Sequence, residues 1–365
     1  MEKSLQSGFN VKSYLAPIII GGFWIIVLIL AVIFKQPWIT LISDSLQRFA
    51  IWGMLVLAMV PSIQSGTGPN FALPIGLCSG LLSMVTAIQL GFTGIWFILV
   101  SIGMAIVVAC LLGYLYGILM NAVKGSEMAI ATYTGLSITM VFYIVWLVIP
   151  FGHALLSMFL GDGLRPTIAL EPIGANQILD NFLQLNFNFS DIHVFGFLIR
   201  GGTITIRTGT IIVFFAACVI VWLFFRSKSG ISISAVGANP MFARAAGLNV
   251  NKSRIIANII STVLAAVGVV VYAQSFGFVQ LYDFPLWMAF PAVAAILVGG
   301  ATAQRSKVIH VLIGTFLFQG LLTTVPPVFN EVLRGEDMTD AVRMVIQNGI
   351  ILYALTKITA TGGGK

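Results

Sequence analysis

Apolar runs of about 20 residues recur along this chain, the length a helix needs to cross a hydrocarbon core about 30 Å thick, and long for strands. They fall at residues 14–34, 46–64, 71–90, 94–123 and 128–150. After an irregular stretch to residue 208 they resume at 209–225, 255–276, 286–301, 308–325 and 341–358. The pattern predicts an all-α integral membrane protein with ten transmembrane helices in one domain over residues 1–358. Lys3 and Lys12 precede the first run and no small-residue cleavage site closes it, so it reads as an uncleaved span.

The longest interruption, residues 151–207, carries the turn-forming and β-branched stretches GDGLRP, NFNFSD and RGGTITIRTG. It reads as an outer segment folded against the bundle. Within it, FGHALLSMFLGDG gathers Phe, Leu and Met on one side of a helical wheel and predicts a short interfacial helix. Residues 359–365 read as a flexible tail.

Composition agrees with lipid as the solvent: 58% of residues are hydrophobic and 8% charged, against about 25% charged in a soluble domain. Charge sets the orientation. With the N-terminus inside, the inner loops hold twelve Lys and Arg against Glu2 and Glu127, and the outer segments hold seven against ten acids. Inside therefore carries +10 and outside −3, which together give the chain's +7. By the excess of basic residues in cytoplasmic loops, both termini and the loop over 227–254 lie in the cytoplasm. Basic residues so placed point to membrane topology and to no nucleic acid.

The candidate chemistry is sparse. Cys78, Cys110 and Cys218 lie in apolar runs without short spacing, and His153, His193 and His310 belong to no ligand-spaced cluster, so no metal is expected. No GxxxxGK[ST] occurs, so ATP hydrolysis is not expected on this chain. An ion-coupled transporter would place an acid within a span, but nearly all twelve acids map to loops. An intramembrane enzyme would need paired carboxylates, a Ser–His pair or a metal cluster at span depth, and the sequence offers none.

Two stretches break the apolar monotony. In AVGANPMFARAAGLNV, residues 235–250, Asn239 is a good helix cap, Pro240 suits a first helical turn, and Gly247 suits a left-handed helix end. The result is one or two helical turns presenting Ala243, Ala245 and Ala246 beside Met241, Phe242 and Arg244. A docking knob and a solvated connection both fit these residues. In QSGTGPNFALPIG, residues 64–76, Gly66, Gly68, Pro69 and Pro74 break any continuous helix. Gln64, Ser65, Thr67 and Asn70 are positioned to satisfy the freed backbone groups, and such uncharged donors and acceptors suit a neutral hydroxylated solute with Phe71 as a stacking surface. An ordinary interhelical turn is the alternative. Asp340, Arg343 and Gln347 lie on one face of the last span, with Asn348 beside it, where Asp340 and Arg343 read as structural near the outer interface.

The pattern of Gly237, Asn239, Pro240, Ala243, Arg244, Gly247, Leu248, Val250 and Lys252 resembles the permeases of ABC importers for ribose, galactose and autoinducer-2. The likeness continues through SRIIANIISTVLAAVGVVVYAQ and AAILVGGATAQRSKVIHVLIGTFLFQGLL and reaches back to PWITLISDSLQRFAIWGMLVLAMV. It implies that the short cytoplasmic helix is a coupling helix, with Gly237, Asn239, Pro240, Phe242, Ala243, Arg244 and Gly247 engaging a separate ATPase subunit. That ATPase would hold ATP and Mg, and this chain would bind no cofactor. The resemblance further implies an extracytoplasmic solute-binding protein, a second permease copy or a related permease, and the cell membrane of a prokaryote. SIQSGTGPNFALPIG stands where sugar permeases of the group carry Gly-Gly-Ile-Asp-Leu-Ser, and TAQRSK replaces a second glycine pair after Gly299 and Gly300. The implied solute is a simple sugar, with a nucleoside or vitamin-like solute as the alternative.

Overall fold

The computed structural model describes residues 11–149, 152–158, 163–182, 184–189, 192–194, 197–199, 202–332 and 338–362. Six helices come first: α1 (Val11–Ile33), α2 (Trp38–Leu57), α3 (Met59–Gln64), α4 (Leu73–Gln89), α5 (Gly94–Ala122) and α6 (Glu127–Val148). An irregular region follows with β1 (Thr167–Ala169), α7 (Ile178–Asn181), β2 (Gln184–Phe189), β3 (Ile192–Val194), β4 (Phe197–Ile199) and β5 (Gly202–Arg207). The chain then forms α8 (Thr208–Arg226), α9 (Lys228–Ala238), α10 (Pro240–Ala245), α11 (Val250–Phe276), β6 (Phe278–Gln280), α12 (Phe284–Val298), α13 (Val308–Val332) and α14 (Thr339–Gly362).

A helix lies in each of the ten apolar runs of the sequence. Among the described residues, seven are long and apolar enough to cross a membrane: α1, α2 continued by α3, α5, α6, α8, α11 and α13. The shorter apolar helices α4 and α12 have 17 and 15 residues, about 25 Å or less at 1.5 Å per residue. The protein is a mostly helical, multi-pass membrane protein.

Burial identifies the centre. The α2–α3 span is 83% buried, whereas the spans of α1, α5, α6 and α8 are 22–28% buried. The central span packs against α13, α11 and α8, and α5 packs along α11 and α4. Gly113 and Gly117 of α5 let it approach α11 closely: a Cβ on either would lie 3.0 or 2.9 Å from the Ile259 or Ile255 Cα. The outward faces of the peripheral helices, such as Ile18 and Ile25 of α1 or Val107 and Leu111 of α5, are exposed and apolar, as a lipid-facing surface requires.

The irregular region caps one end of the bundle. β2 pairs antiparallel with β5, from Gln184 opposite Arg207 to Phe189 opposite Gly202, while β1 pairs with β6 and β3 with β4. The Ser43 hydroxyl at the start of α2 donates to the Thr205 carbonyl at 2.9 Å and accepts from its N–H at 3.1 Å, clipping the β2–β5 hairpin to the central helix. Buried Asp180 of α7 accepts from the Thr210 hydroxyl and lies 3.8 Å from Arg207. The Leu179 N–H donates to the Gln274 side chain at 3.2 Å.

Two local expectations are corrected. Residues 154–156 form a turn and Ser157 bridges to Leu164, so the described part of FGHALLSMFLGDG is not helical, and its residues 151 and 159–162 lie outside the described residues. Apolar clustering on a wheel also suits a turn packed on a protein surface, and Leu156 and Leu164 are buried there. The final helix continues to Gly362, into the stretch read as a tail; residues 363–365 lie outside the described residues.

Candidate functional site

Three helices in succession build the segment over residues 227–276, and each starts on a side-chain cap. The Ser227 hydroxyl accepts from the Gly230 N–H at 3.3 Å to open α9. The Asn239 side chain accepts from the Met241 and Phe242 N–H groups, both at 3.0 Å, to open α10. The Asn249 side chain accepts from Lys252 N–H at 3.0 Å to open α11. Each bond satisfies a backbone donor that the first helical turn leaves free. Gly247, at φ +80°, reverses the chain after α10, and the Leu248 N–H returns to the Ala243 carbonyl at 2.9 Å.

The six-residue α10 has an inside and an outside. Ala243 is fully buried and packs with Val236 of α9, Val250 of α11 and the partly buried Leu248. Met241 and Phe242 are 83% and 70% exposed, and Pro240, Arg244, Ala245, Ala246 and Gly247 are exposed as well. Of the alanines read as a docking face, Ala245 and Ala246 thus face outward and Ala243 holds the segment together. The prominent outer feature is an apolar pair, Met241 and Phe242, beside a cation.

The same segment touches the helix break. Gly237, in the last turn of α9, packs on the loop after α3, and a Cβ there would drive into the Gln64 carbonyl. Gly66, at φ +79°, faces Gly237 across this contact. Within the loop the polar groups satisfy one another. Ser62 and Thr67 hydroxyls lie 3.0 Å apart, Ser62 donates to the Gly68 carbonyl at 2.7 Å, and Ser65 donates to the Ser62 carbonyl at 2.8 Å. The Gln64 amide donates to the Ser306 carbonyl. Asn70 donates to Ser261 of α11 at 2.8 Å and accepts from the Ala72 N–H at 3.0 Å. Phe71 packs on Phe290 of α12, with ring centroids 5.7 Å apart. Ser65, Thr67, Asn70 and Phe71 are all buried and Gln64 is partly so.

The break is therefore a closed, internally bonded knot joining α3, α9, α11, α12 and the loop before α13. Ser62, Ser261, Ser306 and Gly237 complete it. Ser62 lies two residues before that stretch, whereas Ser261 and Ser306 are 191 and 242 residues from their partners and carried no local signal. The base of α11 is tied to the turn between α5 and α6. Arg254 pairs with Glu127, and Lys124 donates to the Asn251 side chain at 3.0 Å. Gly237 thus joins α9 to the end of the central span, and Arg254 joins the base of α11 to the start of α6.

The chain is similar to known transport permeases. A family model described as "Branched-chain amino acid transport system / permease component" matches residues 41–355. The galactofuranose transporter permease protein of Escherichia coli (strain K12) is 26% identical over 194 residues, 51% of this chain and 52% of that protein. The nucleoside ABC transporter permease protein of Lactococcus lactis subsp. cremoris is 28% identical over 156 residues, 42% of this chain and 40% of that protein. The autoinducer 2 import system permease protein of Enterobacter sp. (strain 638) is 34% identical over 116 residues, 32% of this chain and 33% of that protein. The chain spans about half or less of the length of these relatives. No solved structure matches it.

Proposed function

The chain belongs to the family of branched-chain amino acid transport system permease components, and on that premise we propose that it is the permease subunit of an ATP-driven importer. It moves a small neutral polar solute, a simple sugar, from an extracytoplasmic solute-binding protein into the cytoplasm. The family is a transmembrane component without catalytic chemistry of its own, so ATP and Mg belong to a separate ATPase subunit. A second copy of this chain, or a related permease, completes the path across the cell membrane of a prokaryote.

The observation that carries the reading is α10: a capped helix that exposes Met241 and Phe242, carried on the end of α9, whose last turn rests on the break of the central span. We take α10 as the coupling helix, seated in the ATPase, with the ten helices as spans and both termini in the cytoplasm. Gln64, Ser65, Thr67, Asn70 and Phe71 then form the inner end of the path, held shut by their mutual hydrogen bonds until the ATPase moves α9. The galactofuranose and autoinducer-2 permeases among the relatives favour a sugar-like solute. The nucleoside permease supports a second reading, a nucleoside.

Proteoliposomes holding the full complex test this. ATP inside should drive solute uptake from the binding protein outside, and removal of the ATPase should abolish it. Uptake that continues without the ATPase, driven by a proton or sodium gradient, would overturn the proposal.

A further inference from the structure

The first turns of α9 and α11 flank a pocket of about 190 Å³, far more than the ~10–15 Å³ that one water needs. Its polar lining includes Ser229 of α9, Asn249 at the cap of α11, and Lys252 and Ser253 in the first turn of α11. Ile233 and Ile256 supply an apolar wall, and no carboxylate lines the space.

Ser253 points to a ligand. It is only 8% exposed, its side chain lines the pocket, and among the described residues its hydroxyl has no hydrogen-bond partner. A buried hydroxyl left unpaired is costly. The Ser229 hydroxyl and the Lys252 ammonium also lack partners among the described residues. The Asn249 side-chain oxygen accepts from the Lys252 N–H at 3.0 Å, which leaves the amide N–H groups to donate. Four donor groups thus converge where two helices, of 11 and 27 residues, both begin. Helix N-termini add positive potential. What answers such a set is an anion with several acceptor oxygens. A carboxylate has two, and a phosphate has enough to reach both helices.

Depth agrees with this. The apolar run before the pocket ends at residue 225 and the run after it begins at 255, so Ser229 and Ser253 stand just beyond both, at the level of lipid headgroups. Trp222 near the end of α8 is 45% exposed and carries the Arg226 guanidinium 3.7 Å over its ring. An aromatic ring with a cation on it is the side-chain chemistry of the membrane–water boundary.

We propose that this pocket binds a phosphate group, supplied by the headgroup of an anionic phospholipid or by a free phosphate monoester. Lys252 answers its charge, Ser229, Ser253 and Asn249 donate to its oxygens, and the carbon it is attached to packs on Ile233 and Ile256. Basic pockets between helices at the membrane surface hold lipid headgroups by the same chemistry, and charge-assisted bonds are the strong ones. A phosphate so held bridges α9 to α11, the two helices on either side of α10. The site stands whether or not the chain imports a solute.

The test uses the full-length chain, purified in detergent and stripped of lipid, with native mass spectrometry counting bound molecules during titration. The probes are dioctanoyl phosphatidylglycerol, sn-glycerol 3-phosphate and dioctanoylglycerol, which lacks the phosphate. Wild type should bind one molecule of at least one phosphate compound saturably, and dioctanoylglycerol at least tenfold more weakly. Binding of phosphatidylglycerol alone assigns the pocket to a lipid headgroup, whereas binding of glycerol 3-phosphate assigns it to a free phosphate monoester. Lys252→Gln should weaken the binding at least tenfold and Ser253→Ala at least threefold. Lys228→Gln, on α9 but outside the pocket lining, should stay within twofold of wild type. Equal weakening by Lys228→Gln and Lys252→Gln would reduce the effect to general surface charge and overturn the site. So would wild-type affinity in both Lys252→Gln and Ser253→Ala, equal binding of dioctanoylglycerol, or no saturable binding of either phosphate compound. If Ser253→Ala fails to fold, Lys252→Gln, at an exposed position, decides alone.

Discussion

Gly237 and Gln64 are in backbone contact: the last turn of α9 sits on the carbonyl that ends α3, with no room for a side chain between them. This is where the exposed segment over 227–254 meets the central span.

Gly237→Ala should therefore separate the two. The added methyl overfills a backbone contact, at a cost of about 1 to 3 kcal/mol. We expect a lower thermal midpoint of the purified permease in detergent and ATP-driven uptake well below wild type. An unchanged midpoint with normal uptake would show that α9 slides freely over the break.

Asn70 ties the break to α11 through Ser261. Asn70→Leu removes that bond and the acceptor for the Ala72 N–H, both in buried surroundings. Stranding a buried donor costs about 1 to 3 kcal/mol. The expected outcome is a measurable loss of thermal stability, checked by unfolding in detergent. Wild-type stability would indicate that Asn70 exchanges its partners for water or solute.

How much of this was legible in the sequence depends on the range of the interactions. Asn239, Pro240 and Gly247 announce α10 because capping is local chemistry, settled within three or four residues. The apolar runs announce the helices for the same reason. The helix break was legible from Gly66, Gly68, Pro69 and Pro74, but the partners that close it, Ser261, Ser306 and Gly237, come from distant parts of the chain. Ala243 illustrates the limit: in a helix of six residues nothing in the spacing tells the outer face from the inner. Only the packing of Val236 and Val250 beneath it does so.

The orientation rests on the basic loops, and labelling tests it. A cysteine replacing exposed Ser229 should react with an impermeant maleimide only after the inner face is opened. One replacing exposed Asn188, on the β2–β5 hairpin, should react from outside in intact cells. The reverse pattern would invert the topology.

The most direct test of the account is ATP-driven uptake by Phe242→Asp. Phe242 is 70% exposed and packs in none of the buried clusters, so its replacement should leave the permease's own stability within about 0.5 kcal/mol. If α10 seats in the ATPase, a carboxylate forced into that contact should release the ATPase during purification or cut ATP-driven uptake at least tenfold, with the permease still folded. Full uptake by Phe242→Asp, with the ATPase retained, would contradict the coupling role of α10.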